Sequence, residues 1–377
     1  MKKTQRKVIL VDVFFQYLAQ TGIKTYTDSL LHQIEVYDGD AFTFIIYPSR
    51  KKIRESTFFK GKTARWKNWS FQILYFSHKL FVLPWLSIWY SVDLIFSPDI
   101  LSPLLGRGKR VSVIHDAFFW ESPEHYNPLW RKIYLFFLQK SLDMGANVLT
   151  VSRYSQSVIS KFVKTKEPIT VLSTGLDLKV KTKGEKEKSP LPHPYFIHVG
   201  VMEKRKNIKT IIEAFSIFLK DNKAPYSLVL VGQKGPREDL DDYGGILELV
   251  KKYELQEKVI FTGYLEAEKL EVYYKFAVAY VFPSTNEGFG LPVLEAFSYG
   301  LPVLIGPQGA LMEVGGKAVL VSESFAAKDF ALAMHRISKD ENLRLELIES
   351  GIKRLSSYTG EKFFLSLQSY FNKVIDG

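Results

Sequence analysis

Two glutamates bracket a glycine-containing loop in the segment Phe282-Pro-Ser-Thr-Asn-Glu-Gly-Phe-Gly-Leu-Pro-Val-Leu-Glu295. An apolar run ends at Phe282, Gly288 and Gly290 follow, and Pro292 stands where the first turn of a helix would begin. A glycine loop that opens a helix lets backbone N–H groups approach an anion closely, and the helix dipole favours that anion. Glu287 and Glu295 would repel a bare phosphate, so their natural partners are hydroxyl groups, which donate hydrogen bonds to carboxylates. A phosphate flanked by hydroxyls on both sides describes a sugar nucleotide. The plainer alternative leaves Glu295 as a first-turn acid complementing the dipole and Glu287 as an exposed loop residue.

A second constellation is Gly200-Val-Met-Glu-Lys-Arg-Lys-Asn207, which leaves an apolar run and enters a helical pattern near Ile208. Ligands of open α/β sheets bind at the carboxyl ends of strands. Arg205 and Lys206 there would grip a diphosphate, the arginine as a fork and the lysine as a point charge, and would stabilise charge developing on a leaving group. The alternative is a solvated basic loop. On either reading Asn207 is expected to cap the helix.

The elements that must position these residues follow from the apolar pattern. Strand-like runs alternate with amphipathic stretches through nearly the whole chain, which predicts an α/β protein with parallel sheets. In the first half the strands are expected over 7–14, 42–47, 94–96, 110–114, 147–151 and 169–172, with a helix over 25–35. In the second half they are expected over 195–199, 227–231, 259–262, 279–282 and 301–305, with a helix over 208–219 and a mostly helical end from Ala327 to Gly377. The charged, Pro-bearing stretch after Asp177 reads as a linker. The domain boundaries expected are 1–180, a linker over 181–194, 195–360, and a C-terminal helix over 361–377 packing back on the first domain.

Composition narrows the field. The chain of 377 residues suits two domains. It holds no cysteine, which excludes disulfides, thiolate metal sites and a cysteine nucleophile, and fits a reducing cytoplasm. No signal-peptide pattern follows the basic N-terminus, and the most apolar stretch, Leu80 to Phe96, is broken by Pro84, Ser87 and Asp93, so no membrane span is expected. Of the net charge of +11, much lies between Arg50 and Lys79, where nine Lys/Arg meet one acid, Glu55, among Phe58, Phe59, Trp66, Trp69, Phe71, Tyr75 and Phe76. Such a segment suits an anionic membrane surface, and equally a solvated basic face whose aromatics point inward. Nucleic acid would account for the charge but not for the glycine loops with their carboxylates.

Together these motifs resemble the retaining GT-B glycosyltransferases of family 4, group 1, whose E-x7-E element is similar to Glu287 to Glu295 here. The G-x-x-x-x-R-K-N stretch resembles the branch in which mannosyl- and rhamnosyl-type transferases are common. Thr21 to Tyr26, Phe96-Ser-Pro-Asp99, His115-Asp116, Val151-Ser-Arg-Tyr-Ser155, Gly263-Tyr264-Leu265 and Met312-Glu-Val314 agree in order, so the resemblance covers essentially the whole chain. Two departures are Val201, where some members carry a basic residue, and a single glycine, Gly22, in the N-terminal loop.

The resemblance implies two Rossmann-like domains facing across a cleft, with the nucleotide-diphosphate sugar as substrate and no cofactor or essential metal. It implies that Glu295 binds the ribose hydroxyls and Glu287 those of the donor sugar, and that Gly288, Phe289, Gly290 and Leu291 face sugar and phosphate. Arg205 and Lys206 would hold the diphosphate, with Gly200 and Gly22 allowing close approach, and Leu265 would lie near the base. His115 would contact the donor sugar near the reacting centre. A general base and a core histidine satisfied by backbone are the other readings of His115. The activity implied is transfer of a hexose, with GDP-mannose as the leading donor, to a glycan or lipid-linked acceptor in cell-surface polysaccharide synthesis. The site would be cytoplasmic or peripheral at the inner face of the membrane. A nucleotide-sugar epimerase, a sugar phosphorylase or an inactive sugar-nucleotide-binding protein would share the fold.

Overall fold

The computed structural model describes residues 6–18, 22–56, 65–181, 184, 187–222, 224–235 and 240–377. Thr21, Phe58 and Phe59, named above, lie outside them, as do Lys60 and Lys62 of the basic segment and linker residues 182, 183, 185 and 186. The described chain forms two compact units: residues up to Asp177 together with Tyr358–Gly377, and Leu178–Ser357.

The first unit is built on six parallel strands, β1 (Lys7–Asp12), β2 (Phe42–Tyr47), β3 (Leu94–Ser97), β4 (Lys109–Ile114), β5 (Asn147–Thr150) and β6 (Thr170–Val171). Their order in the sheet is β2-β1-β3-β4-β5-β6. Continuous runs such as Ile9-Leu10-Val11 are wholly buried, as expected of strands covered on both faces. Between β2 and β3 one run of helix extends from Arg65 to Trp89, through a π-turn at His78–Val82 closed by Leu83 N–H donating to the carbonyl of His78. The π-turn directly precedes Pro84, which has no N–H to give to a helical ladder. It turns His78 and Lys79 inward, and both are buried. The apolar stretch after Leu80 is therefore helix as far as Trp89 before β3 begins.

Lys79 corrects the sequence reading, which counted it in a basic surface. Its Nζ donates to Asp12 Oδ2 at 2.6 Å, to Asp99 Oδ1 at 2.7 Å and to the carbonyl of Leu101. His78 Nε2 lies 2.8 Å from Asp12 Oδ1, and Tyr75 OH donates to Asp99 Oδ2 at 3.0 Å. Phe71 and Tyr75 likewise belong to the core and not to a surface, packing with Tyr134 and Leu138.

The final helix, Gly360–Asp376, belongs to this unit. Phe371 meets Phe96 at 5.2 Å and Phe363 meets Tyr26 at 5.0 Å between ring centroids. Where the chain leaves and re-enters the unit, Leu176 N–H donates to Tyr358 at 2.8 Å. Gly175 is needed at that crossing, since a Cβ there would fall 2.0 Å from the carbonyl oxygen of Thr359.

The second unit repeats the architecture with β7 (Tyr195–Val199), β8 (Ser227–Val231), β9 (Val259–Gly263), β10 (Ala279–Phe282), β11 (Val303–Ile305) and β12 (Val319–Val321). These are parallel in the order β12-β11-β10-β7-β8-β9. The helices Ile208–Lys220 and Ala327–Lys339 supply Ile211, Phe215, Phe330 and Met334 to its core. β12 was not expected from the sequence, being three residues long beside Gly315 and Gly316. The described part of the expected linker is pinned to this unit: Lys181 N–H donates to Ser298 at 2.7 Å, and Glu187 pairs with Lys275 at 2.9 Å.

Candidate active site

In the second sheet β7 and β10 are neighbours, so the loops that leave their carboxyl ends meet. After β7 the chain passes Gly200 into a short turn, Lys204–Lys206, and then into the helix Ile208–Lys220. After β10 it passes Glu287 to Gly290 and enters the helix Leu291–Ser298. Gly290 is the N-cap with φ +116°, and an added Cβ would lie 2.7 Å from Leu311 Cδ2. Only glycine suits that corner.

Glu287 Oε1 receives three donors: Lys206 Nζ at 2.6 Å, Ser284 Oγ at 2.7 Å and Arg205 Nη1 at 3.0 Å. Burial alone would raise the Glu287 pKa, but Lys206 and then Arg205 hold it below the usual carboxylate value. Arg205 Nε also donates to Glu203 Oε2 at 2.9 Å. Lys206 is buried, which lowers its pKa, with Glu287 opposing that effect, and its ammonium stands 4.7 Å from the Phe282 ring centroid. Glu295, one turn into its helix, has no hydrogen-bond partner for its carboxylate among the described residues. Burial raises its pKa against the pull of Lys206.

The predicted residues Gly200, Arg205, Lys206, Glu287, Gly288, Phe289, Gly290, Leu291 and Glu295 are thus brought to one place, the carboxyl ends of β7 and β10. Leu265 follows β9, two strands away on the same edge. Gly22 and His115 belong to the first unit, Gly22 opening the helix Gly22–Glu35 and His115 following β4. His115 Nε2 donates to the carbonyl of Pro98 at 2.9 Å, which leaves Nδ1 as an acceptor. Burial pushes its pKa down to about 4. It is neutral near pH 7 and a poor proton acceptor, suited to receive a hydroxyl hydrogen bond, and Tyr26 holds the ring edge-on at 4.9 Å.

Asn207 does not cap as expected. Its backbone is left-handed, φ 53°, which turns the side chain away from the first-turn amides. Its Oδ1 accepts from Thr210 Oγ1 at 2.9 Å and its Nδ2 donates to the carbonyl of Pro283 at 3.4 Å, tying the two loops together. Two Asp-x-Asp spacings occur in the chain, at Asp38/Asp40 and Asp239/Asp241. Asp40 pairs with Arg6, Asp241 accepts from Gly235 N–H at 2.8 Å, and Asp239 lies outside the described residues.

Four contributors escaped sequence reasoning. Ser284, fully buried, donates to Glu287 from within the quoted motif. Gln308 Nε2 donates to the carbonyl of Glu287 at 3.0 Å while its Oε1 accepts from Leu311 N–H at 2.9 Å, fixing the glutamate loop to the next helix. Gly232 ends β8, where a Cβ would sit 1.9 Å from the carbonyl oxygen of Gly200. Its place in an apolar strand followed by glycine was the available signal. His198 Nδ1 donates to Val281 at 2.9 Å, and its Nε2 is buried with no partner among the described residues. That nitrogen lies 3.5 Å from where a Cβ on Gly200 would be.

Comparison with known proteins agrees with this geometry. Residues 180–354 match the family model described as glycosyl transferases group 1. O-antigen chain mannosyltransferase B of Escherichia coli is 29% identical over 262 residues, covering 67% of this chain and 67% of that protein. The serotype-specific mannosyltransferase WbdA of Escherichia coli is 34% identical over 163 residues, covering 43% of this chain and only 20% of its own length. Among solved structures, sucrose-phosphate synthase from Thermosynechococcus elongatus superposes with a TM-score of 0.69 at 20% identity, over 98% of this chain and all of that one (100%). The architecture is the α/β GT-B fold.

Proposed function

We propose that the chain is a group 1 glycosyltransferase, as the match of residues 180–354 supports, and that it transfers a mannosyl residue from GDP-mannose to a hydroxyl of a glycan or lipid-linked acceptor in cell-surface polysaccharide synthesis. The observation that carries this reading is the pairing at the ends of β7 and β10: two cations fixed on one oxygen of Glu287, beside a Glu295 carboxylate with unused hydrogen-bond capacity. The mannosyltransferase names of the relatives support the choice of sugar. On this reading Glu295 accepts from the ribose hydroxyls and Glu287 Oε2 from the donor sugar. The diphosphate lies against Arg205, Lys206 and the N-terminal amides of the helix Leu291–Ser298.

The bond from the anomeric carbon to the leaving phosphate breaks as the bond to the acceptor oxygen forms on the same face, so configuration is retained. The acceptor proton passes to the departing phosphate oxygen. Negative charge grows on that phosphate, and Arg205 and Lys206 are already held where they stabilise it without reorganisation and without an essential metal. Glu287 makes that possible by fixing both cations.

The test is release of GDP from GDP-mannose in the presence of an envelope glycan or lipid extract, with EDTA, alongside UDP-glucose and dTDP-rhamnose. GDP release that requires extract and is lost in Glu295→Ala supports the proposal. Conversion of the donor to another nucleotide sugar without extract assigns the site to epimerisation instead, and turnover that requires inorganic phosphate assigns it to phosphorolysis.

A further inference from the structure

The helical run from Arg65 to Trp89 buries one face in the first unit through Phe71, Tyr75 and Leu83. Its opposite face is as apolar as the buried one. Trp66, Trp69 and Ile73 are exposed at helical spacing, and Phe81, Trp85 and Trp89 continue the file beyond the π-turn, with Phe81 70% and Trp89 69% exposed. Ile88 stands beside them, and Trp85 stacks on Trp89 at 5.5 Å between centroids. A soluble helix normally turns polar residues outward, and a contiguous exposed apolar file marks an interaction surface.

The charge around this file selects the partner. From Arg65 to Tyr90 there is no aspartate or glutamate. Lys67 lies 5.9 Å from the Trp66 ring, and Arg107 is bonded to Ser91 at 3.1 Å, next to Trp89. No helix among the described residues is long and apolar enough to cross a membrane. From Trp66 to Trp89 the file extends for about 35 Å at helical rise. It is a single ridge of indoles flanked by cations, and a ridge of that shape matches a plane better than a pocket. Tryptophan settles at the headgroup level of a bilayer, and cations beside it meet anionic headgroups.

We propose that this face docks on an anionic lipid bilayer, with the helical run lying in the interface and the indoles of Trp66, Trp69, Trp85 and Trp89 entering the headgroup region. The surface overlaps the sequence-predicted basic segment only in part: it excludes Phe71, Tyr75 and Lys79, and extends past Lys79 to Trp89. It stands on exposure and charge alone, independently of the sugar transferred.

The test is flotation of the full chain with vesicles of phosphatidylcholine, with and without phosphatidylglycerol, together with tryptophan quenching by brominated lipid. Binding to the anionic vesicles should exceed binding to the neutral ones by about tenfold or more and should weaken in high salt. The double substitution Trp85→Ser/Trp89→Ser should lose most of that binding while keeping the circular-dichroism melting curve. Phe81→Ser provides a second variant should the double one melt early. Wild-type protein that stays with neither vesicle overturns the proposal, as does a folded variant that binds like the wild type. A dimer in solution that the double substitution dissolves assigns the face to a second copy instead and also overturns it.

Discussion

Each unit of this chain places a lysine between carboxylates at the carboxyl ends of its strands, and the two arrangements differ in what they leave over. In the first, Lys79 spends all three ammonium protons on Asp12, Asp99 and the carbonyl of Leu101, while Tyr75 and His78 serve the same carboxylates. Every side chain there is buried and answered. In the second, Lys206, Arg205 and Ser284 crowd onto one oxygen of Glu287, while Glu295 and His198 Nε2 keep capacity unspent. A Cβ on Gly200 would stand 3.5 Å from that His198 nitrogen, while Gly232 and Gly290 let the chain pack closely against the Gly200 carbonyl and Leu311. Charge and burial are common to both clusters. On the proposed reading, unused hydrogen-bonding capacity is what would separate a ligand site from a scaffold.

The comparison can be broken first at Lys79. Replacing it with methionine leaves two buried carboxylates without a cation and should destabilise the first unit by about 3–5 kcal/mol, read by urea unfolding. A loss below about 1 kcal/mol would mean that the cluster is hydrated and not closed. The matching change in the second unit, Lys206→Ala, should act on catalysis: transfer should fall on the order of 10²–10³-fold in steady-state assays. Its effect on unfolding should be smaller than that of Lys79→Met, because Arg205 and Ser284 still hold Glu287.

Asp99 and Glu287 should also answer pH with opposite signs, whereas Asp12, whose burial is outweighed by Lys79 and then His78 so that it lies below the usual carboxylate value, shares the sign of Glu287. Asp12 and Asp99 share one ammonium, and burial, with Asp12 adding to it, pushes the Asp99 carboxyl up to about 6. A folded pKa above the unfolded value near ~3.9 gives stability that is present at low pH and lost as pH rises towards 6. Asp99→Asn should remove that decline from a stability-against-pH curve. Glu287 is shifted down, so its contribution is present above the unfolded carboxylate value near ~4.3 and is lost as pH falls through the lower folded value. Glu287→Gln should flatten that acid limb. The smallest effect expected is that of Gly290→Ala, about 1–2 kcal/mol, from a left-handed N-cap pressed against Leu311. It should appear as a lower melting temperature together with weaker nucleotide binding.

Much of this was legible in the residues. Continuous apolar runs gave most strands to within a residue or two, and Tyr195–Val199, Ser227–Val231 and Ala279–Phe282 coincide with the expected bounds. The glycine loop with its two acids drew attention to Glu287 and Glu295 because the residue types and spacing suggest a shared ligand. What escaped depends on contacts between segments distant in sequence. Lys79 counts as surface charge until Asp12 and Asp99, brought together by the sheet, enclose it. Asn207 matches a capping pattern until a left-handed backbone carries its side chain to Pro283. Gln308 and His198 have no local signature, since each acts on a strand or loop reached only through the fold.

The most direct measurement is thermal unfolding of the full chain with GDP, UDP, dTDP and ADP, in EDTA, for wild type and Glu295→Ala. GDP at about a hundred times its dissociation constant should add roughly 2.7 kcal/mol of stability, and the alanine variant should lose that gain while melting normally without ligand. Absence of any shift with all four nucleotides, or a shift that survives Glu295→Ala unchanged, would contradict the assignment of the β7–β10 strand ends as the sugar-nucleotide site.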